Sequence, residues 1–184
     1  MIVGVGGQGT LLASRILGNM LVSEGYDVKV SEVHGMSQRG GSVVTYVKFG
    51  DKVQSPIIDH GEADIILAFE ELEAYRYLPY LKKGGKIICN SQNIDPMPVI
   101  IGAKEYPKDI VEKIKEKNVE IISVDADKLA FEAGNIKTVN VALIGVMSSQ
   151  TDIPEEVWLS AIKSTVPPKV VDVNLKAFEL GRNY

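Results

Sequence analysis

Cysteine is nearly absent from this sequence of 184 amino acids, because Cys89 is the only one. A single thiol cannot form a disulfide within the chain, and it cannot supply the four thiolates that an iron–sulfur cluster usually needs. The sequence therefore favours a reducing, cytoplasmic location and predicts no cluster bound by this chain alone.

Long apolar runs and an excess of positive charge are also absent. No run of apolar residues approaches the length that a bilayer-spanning helix requires, and no basic segment precedes the first apolar residues as it would in a signal peptide. The net charge is −4 and the pI is about 5.3, so the surface does not attract a phosphate backbone. We therefore expect neither a membrane nor a nucleic acid as a partner.

The composition is that of an ordinary globular protein, with 45% hydrophobic and 24% charged residues. This length fits one domain with its own core, so we predict a single domain over residues 1–184. Periodicity predicts strands alternating with helices, which is typical of a three-layer α/β fold with a mainly parallel sheet and helices on both faces. The predicted strands cover residues 1–5, 26–33, 42–49, 63–69, 86–90 and 119–124, and the predicted helices cover 10–24, 72–81, 108–117, 125–133, 139–147, 154–163 and 171–180.

One antiparallel hairpin is expected within this fold. Gly50-Asp51 reads as a turn after a strand, and residues 52–58 would return as the second arm. Two glycine-rich loops, at residues 4–9 and 34–41, are expected at the carboxyl ends of the strands, where such folds place ligands or partners.

The first glycine-rich loop follows the pattern G-x-G-x-x-G between a strand and a helix, which is the context of a dinucleotide site. Glycines let the backbone approach a pyrophosphate, and the helix amino terminus offers unpaired N–H groups. Glu32 would then bind the ribose hydroxyls. The alternative is that these glycines only allow a close strand–helix crossing. The candidate residues of this loop are Gly6, Gly7, Gln8 and Gly9.

The second loop is the most unusual stretch of the sequence. Arg39 can hold a carboxylate or phosphate, or it can pair with Glu32 and stiffen the loop. His34 can donate a proton or bind a ligand, or it can pack with Met36 against a partner. No nucleophile, base and orienting group occur together, so we favour an interface over catalysis and predict no catalytic residue and no metal ligand. The candidates are Glu32, His34, Met36, Ser37, Gln38, Arg39, Gly40 and Gly41.

Three further features have two interpretations each. The acids Glu70, Glu71 and Glu73 can serve acid–base chemistry, although acids at this place more often favour a helix amino terminus. Cys89 can be a reactive thiol, although it reads more readily as a small apolar filler. Asn140 can cap the helix that follows it or bond to the first glycine-rich loop.

Residues 4–14 and 32–41 together resemble the gamma-type domain of 2-oxoacid:ferredoxin oxidoreductases. The form Glu-Val-His-Gly-Met-Ser-Gln-Arg-Gly-Gly is similar to that of the small subunit of indolepyruvate ferredoxin oxidoreductases. The similarity continues through residues 55–56, 63–64, 70–81, 84–85 and 140–142, so it covers nearly the whole chain.

This resemblance implies a Rossmann-like fold and a subunit that binds no cofactor itself. The holoenzyme would convert an aryl pyruvate and coenzyme A to an acyl-CoA, carbon dioxide and reduced ferredoxin. Thiamine diphosphate, magnesium and iron–sulfur clusters would lie on a large partner chain, and ferredoxin and coenzyme A would meet this chain through the holoenzyme. An apolar surface left uncovered would favour a homodimer of the isolated chain.

Two hypotheses follow for the function of this chain. In the first, the glycine-rich loops form the surface against a catalytic subunit. In the second, the chain is a free-standing redox protein that binds NAD or FAD at the first loop. A flavoprotein of the flavin-decarboxylase kind is a third alternative, which a yellow purified protein would indicate.

Overall fold

Six strands form one sheet in the computed structural model, which describes residues 1–34 and 40–184 and, at His34, only the backbone. The strand order is β2-β3-β1-β4-β5-β6. The β1–β4, β4–β5 and β5–β6 pairs are parallel, whereas β1–β3 and β2–β3 are antiparallel. The strands are β1 (Ile2–Val5), β2 (Asp27–His34), β3 (Ser42–Gly50), β4 (Ala63–Ala68), β5 (Leu81–Asn90) and β6 (Glu120–Val124).

The antiparallel hairpin consists of β2 and β3, so the prediction of a hairpin turning at Gly50 is wrong. Residues 52–58 contain no strand. Pro56 has no N–H to give to a ladder, and the backbone nitrogen of Val53 instead donates to the side chain of Asp27 at 2.9 Å. The segment after Gly50 therefore runs over the start of β2 instead of pairing with β3.

Helices cover both faces of the sheet, which confirms the predicted three-layer architecture. The helix predicted over residues 72–81 is shorter, because Leu78–Tyr80 form a 3₁₀ turn and β5 starts at Leu81. Pro79 explains the break, since it lacks an N–H and disfavours helical geometry in the residue before it. The helices are α1 (Thr10–Ser23), α2 (Glu71–Arg76), α3 (Met97–Ile100), α4 (Ile110–Lys115), α5 (Ala126–Ala133), α6 (Val139–Ser148), α7 (Glu155–Thr165) and α8 (Val171–Arg182).

Two apolar cores lie on the two faces of the sheet. The larger core packs the β1 and β4 side chains Ile2 and Leu67 against α1, α5, α6, α7 and α8. The smaller core packs Val3 and Ile66 of the same strands against α2 and α4. Because successive side chains of a strand point to opposite faces, the central strands are buried on both sides. Within the described part of the chain, no helix combines the length and apolarity needed to cross a membrane.

Candidate functional site at the carboxyl edge of the sheet

The described parts of the two glycine-rich loops are hydrogen-bonded to each other. The backbone nitrogen of Gly6 donates to the carbonyl of Gly41 at 2.8 Å, and the nitrogen of Gly40 donates to the carbonyl of Gly6 at 3.3 Å. Antiparallel pairing places Ser42, the first residue of β3, beside Val5, the last residue of β1. The sheet register therefore brings two loops that are distant in sequence to one edge.

Five predicted candidates of the second loop remain untested by the structure. Met36, Ser37, Gln38 and Arg39 lie outside the described residues, and so does the side chain of His34. Their contribution to an interface, and that of Arg39 to anion binding, stays a prediction. The described edge is thus formed by Gly40 and Gly41 on one side and residues 6–9 on the other.

The side chain of Gln8 turns back into the sheet. Its Oε1 accepts from the backbone nitrogen of Val5 at 2.7 Å, and its Nε2 donates to the carbonyl of Phe69 at 2.9 Å and to Oε1 of Gln92 at 2.7 Å. Val5 is the last residue of β1, whereas Phe69 and Gln92 follow β4 and β5, so one amide connects the ends of three neighbouring strands. The amide therefore lies at the carboxyl ends of β1 and β4, the edge of the sheet where doubly wound folds bind dinucleotides.

Two glycines of the first loop have different surroundings although both have positive φ angles. Gly7 has φ +106° and open space where a Cβ would lie. Gly9 has φ +86°, and a Cβ there would lie 2.8 Å from Nδ2 of Asn140. That nitrogen donates to the carbonyl of Gly9 at 3.2 Å, so the interpretation of Asn140 as a partner of this loop is confirmed. Gly9 therefore permits close packing of the loop on α6.

Glu32 lies far from the first glycine-rich loop. It pairs in register with Thr45 of β3, and Thr45 pairs with Ile2 of β1. Because β3 separates β2 from β1, Glu32 is displaced sideways by two strand spacings, about 10 Å, and it is about 10 Å short of the end of β1 along the strand. Its carboxylate instead accepts from the hydroxyl of Thr45 at 3.5 Å. The register therefore places Glu32 away from the first glycine-rich loop, which does not favour the arrangement expected for a ribose.

Glu70 is a buried carboxylate with three donors. It accepts from the backbone nitrogens of Glu73 at 2.9 Å and Ile94 at 3.1 Å, and from the hydroxyl of Tyr106. The bond to Glu73 caps the amino terminus of α2. Burial, followed by these interactions with Glu70, raises the pKa of Tyr106 far above its ordinary value, which keeps the phenol a donor. Glu70 thus fixes the loops after β4 and β5, in agreement with the helix-terminus interpretation.

Glu73 connects α2 to the start of β3. Its carboxylate accepts from the hydroxyl of Ser42, which directly follows the second loop, and it faces the guanidinium of Arg76 at 3.4 Å. Burial raises the pKa of Glu73, Ser42 and Arg76 act in the opposite direction, and Glu70 adds to the rise. Burial and Glu70 also raise the pKa of Glu71. The sequence pointed to these acids, but their partners Ser42 and Tyr106 carried no signal of their own.

The residues of this chain do not fit an iron–sulfur cluster or thiamine diphosphate. Cys89 is fully buried in the smaller core, and its thiol donates to the carbonyl of Asn90 at 3.2 Å. Burial raises the pKa of this thiol strongly, which opposes the thiolate form that binds iron. The sequence lacks the Gly-Asp-Gly and Asn-Asn pattern of thiamine sites. Among the described residues, no group of three acidic, histidine or cysteine side chains is placed to hold a metal.

Comparison with known proteins agrees with the resemblance of the two loops. Residues 1–184 match the family described as pyruvate ferredoxin/flavodoxin oxidoreductase. Indolepyruvate oxidoreductase subunit IorB of Thermococcus kodakarensis is 50% identical, over 98% of this chain and 92% of its own length. The subunit of the same name from Pyrococcus horikoshii is also 50% identical, with the same coverage.

A solved structure extends the similarity to the fold. The gamma subunit of a keto/oxoacid ferredoxin oxidoreductase from Geobacter sulfurreducens superposes with a TM-score of 0.72 at 25% identity, covering 99% of this chain and 94% of that one. The likeness thus covers nearly the whole chain and all the layers of the fold.

Proposed function

Because this chain belongs to the pyruvate ferredoxin/flavodoxin oxidoreductase family, we propose that it is the small, cofactor-free subunit of an indolepyruvate-type 2-oxoacid:ferredoxin oxidoreductase. In this proposal a large partner chain carries thiamine diphosphate, magnesium and iron–sulfur clusters. Ferredoxin and coenzyme A react at the holoenzyme, and this chain forms one domain over residues 1–184. The location is the cytoplasm.

The full-length similarity to indolepyruvate oxidoreductase subunits is the observation that carries the proposal. The surroundings of two side chains in the structure, Cys89 and Gln8, support the proposal. The single thiol is buried, and the amide of Gln8 bonds to the ends of β1 and β4. In this proposal the redox chemistry takes place on groups of another chain, and the relatives are named as subunits of an indolepyruvate oxidoreductase.

We place the partner-binding surface at the carboxyl edge of the sheet. Gly7 and Gly40 are exposed in the two joined loops. The loop after β5 that Glu70 fixes leads into α3, and Met97, Ile100 and the following residue Ile101 are each about two-thirds exposed. Apolar side chains surrounded by polar loops are typical of protein interfaces. In the absence of the partner, the same surface favours a homodimer.

An anaerobic affinity purification of this chain at native expression level tests the subunit function. We expect a large protein to co-purify, with the broad visible absorbance of iron–sulfur clusters and with bound thiamine diphosphate. A lone chain that elutes with a bound nucleotide would contradict the proposal and assign the first loop to a cofactor.

Arg39→Ala tests the contribution of the second loop. We expect weaker recovery of the large subunit and lower indolepyruvate-dependent ferredoxin reduction, with unchanged thermal unfolding of the isolated chain. Lys163→Ala removes the same charge from the exposed surface of α7 and serves as the control. Equal assembly and turnover in the two variants would show that Arg39 does not contribute to the interface.

A further inference from the structure

One lateral edge of the sheet, formed by β2, is long and regular. Edge strands are usually short, bulged, charged or covered, because their open backbone groups pair readily with other chains. β2 pairs with β3 at every residue of Asp27–His34 and contains no proline. Its only lysine, Lys29, is bonded to Asp27 of the same strand, which neutralises its charge. At the opposite edge, β6 is only five residues long, and the hydroxyl of Tyr184 donates to the carbonyl of Ser123 at 3.1 Å.

The backbone groups of alternate β2 residues point to this open edge. The carbonyls of Met1 and Val3 accept hydrogen bonds from residues of β4 and the turn after it, so the even-numbered residues of β1 face β3. Because bonded and non-bonded pairs alternate in an antiparallel ladder, residues 43 and 45 of β3 face β1, and residues 44, 46 and 48 face β2. The register of β3 with β2 then directs Val28, Val30 and Glu32 outward. Between described residues, no backbone hydrogen bond outside the ladder engages these three.

One face of α1 runs along the same edge and carries a glycine. Leu11, Gly18 and Val22 share this face by helical spacing, and Leu11 and Val22 are 47% and 60% exposed. A Cβ on Gly18 would lie 3.8 Å from Cγ2 of Val30, which is an ordinary van der Waals distance. The protomer therefore has room for a side chain at this position, although a glycine inside a helix is unfavourable. The other use of a glycine is to let a second backbone approach closely, which points to another chain.

A second copy of this chain fits the edge, because a two-fold axis at Val30 makes the edge complementary to itself. In that register the outward N–H and C=O groups of the two Val30 residues bond to each other, and Val28 of each copy pairs with Glu32 of the other. An axis at Lys29 or at Glu32 would place like charges directly opposite each other, which is unfavourable. An axis at Ser31 would move the closest approach of the two α1 helices away from the glycine that lies over Val30.

We propose that β2 pairs antiparallel with β2 of a second copy about a two-fold axis at Val30, so that two six-stranded sheets become one continuous sheet. The Gly18 faces of the two α1 helices pack on each other beside the joined strands and cover Leu11 and Val22. The antiparallel arrangement directs the carboxyl edges of the two copies in opposite directions, so this pairing leaves both glycine-rich loops uncovered. The inference does not depend on the proposed function of the chain.

Cysteine cross-linking at the axis is the first test. Directly opposite residues of a bonded antiparallel pair have Cα atoms about 5.5 Å apart, which a disulfide spans. Under mild oxidation, Val30→Cys should therefore form a covalent dimer. Lys29→Cys and Ser31→Cys are the controls, because they link only if the axis lies one residue away, and Cys89 is fully buried and does not compete. Preferential linking of either control, or no linking in any variant, would overturn the proposal.

A charge at the axis provides the second test. Val30 is 46% exposed, so the side chain of Val30→Lys reaches water in the separate protomer but meets its own copy in the dimer. The dissociation constant of the dimer, measured by analytical ultracentrifugation, should rise at least about tenfold. Mixing the Val30→Lys and Val30→Glu proteins should restore association. Ile136→Lys, at a position that is 54% exposed in a 3₁₀ turn, is the control and should leave the dimer unchanged.

Two results of this measurement contradict the proposal. An unmodified chain that stays monomeric shows that the β2 edge does not pair with its copy. Association that persists unchanged in Val30→Lys assigns the contact to another surface, such as the carboxyl edge of the sheet.

Gly18→Gln tests the contact between the α1 helices. Glutamine favours a helix more than glycine does, so the protomer should unfold at an unchanged or higher temperature. The longer side chain holds the two helices apart, so the dissociation constant of the dimer should again rise at least about tenfold. A dimer of Gly18→Gln as tight as that of the unmodified chain would place the axis away from Gly18 and refute the proposed arrangement.

Discussion

The two edges of the sheet differ in how their polar groups are satisfied. At the carboxyl edge, the side chains of Gln8, Glu70 and Glu73 bond to backbone and side-chain partners on neighbouring loops. At the amino edge, an apolar cavity adjoins the unpaired Nε1 of Trp158. At the edge with the nucleotide-like sequence pattern, side chains of the protein thus bond to neighbouring loops, whereas the cavity lies at the opposite edge. A glycine pattern therefore reports backbone geometry, and only the surrounding side chains decide whether a ligand has room.

Gly9→Ala should have the largest effect on the carboxyl edge. The new Cβ would combine a left-handed backbone with a contact to Asn140, so we expect the free energy of unfolding to fall by about 2–4 kcal/mol. Urea denaturation measures the loss. Gly7→Ala is the matched control, because it has a positive φ but open space, and it should cost about 1–2 kcal/mol. Equal losses in the free energy of unfolding would show that Asn140 moves aside for the methyl group without a cost in stability.

Gln8→Ala should have the next largest effect on the carboxyl edge. It removes the acceptor of the Val5 nitrogen and the donor to the Phe69 carbonyl, and leaving such groups unpaired costs about 1–3 kcal/mol. Gln92→Ala removes only one of the three bonds of Gln8 and should cost less. Thermal unfolding of both variants gives the comparison. A larger loss of stability for Gln92→Ala would contradict the role of Gln8 in connecting the ends of the three strands.

The stability of the protein should depend on pH through Glu73. Burial raises the pKa of Glu73 in the folded state above its ordinary 4.5, so the folded chain binds this proton more tightly than the unfolded chain. The stabilisation of the folded state by this proton is therefore fully present below pH 4.5. It is lost as the pH rises through the raised pKa of Glu73 in the folded chain. Glu71 acts in the same direction, while Arg76 opposes the shift of Glu73.

Glu73→Gln isolates that contribution, since the amide keeps an acceptor for Ser42 but does not titrate. The free energy of unfolding should then fall less steeply as the pH rises above 4.5. Urea titrations of both proteins across this range provide the measurement. Parallel curves for the two proteins would show that the proton of Glu73 is not linked to folding.

Trp158→Phe should have the smallest effect and tests the amino edge. The substitution removes an indole N–H that has no partner, which offsets the loss of ring area, so we expect a change within about 1 kcal/mol. Trp158→Ala removes the whole ring and should cost about 3–5 kcal/mol. If Trp158→Phe were as damaging as Trp158→Ala, the indole nitrogen would have an acceptor, and the contrast between the two edges would fail.

Local signals predicted most helices well. Asp125 precedes α5 and its carboxylate accepts from the nitrogen of Lys128 at 2.9 Å, as expected of a cap. The continuous apolar run of α6 predicted a buried helix, and nine of its residues are buried. These features depend on neighbours within a few residues, so the sequence contains their causes. The helix predicted over residues 72–81 failed where Pro79 outweighed the apolar periodicity.

Distant contacts account for what could not be predicted. The insertion of β3 between β2 and β1 separates Glu32 from the first glycine-rich loop, and no local pattern specifies that order. Gln8 bonds to Phe69 and Gln92, which are 61 and 84 residues away. A side chain of this type reads as a polar loop residue until its partners are known.

The sequence alone determined the α/β alternation, the family resemblance and the inability of one cysteine to hold a cluster, because each depends on residue type and short-range spacing. Only the tertiary structure decided the strand order, the bonds of Gln8 across the ends of β1, β4 and β5, and the cavity at the amino edge. Those features arise from register and packing among residues far apart in the chain, where the free energy depends on which surfaces meet.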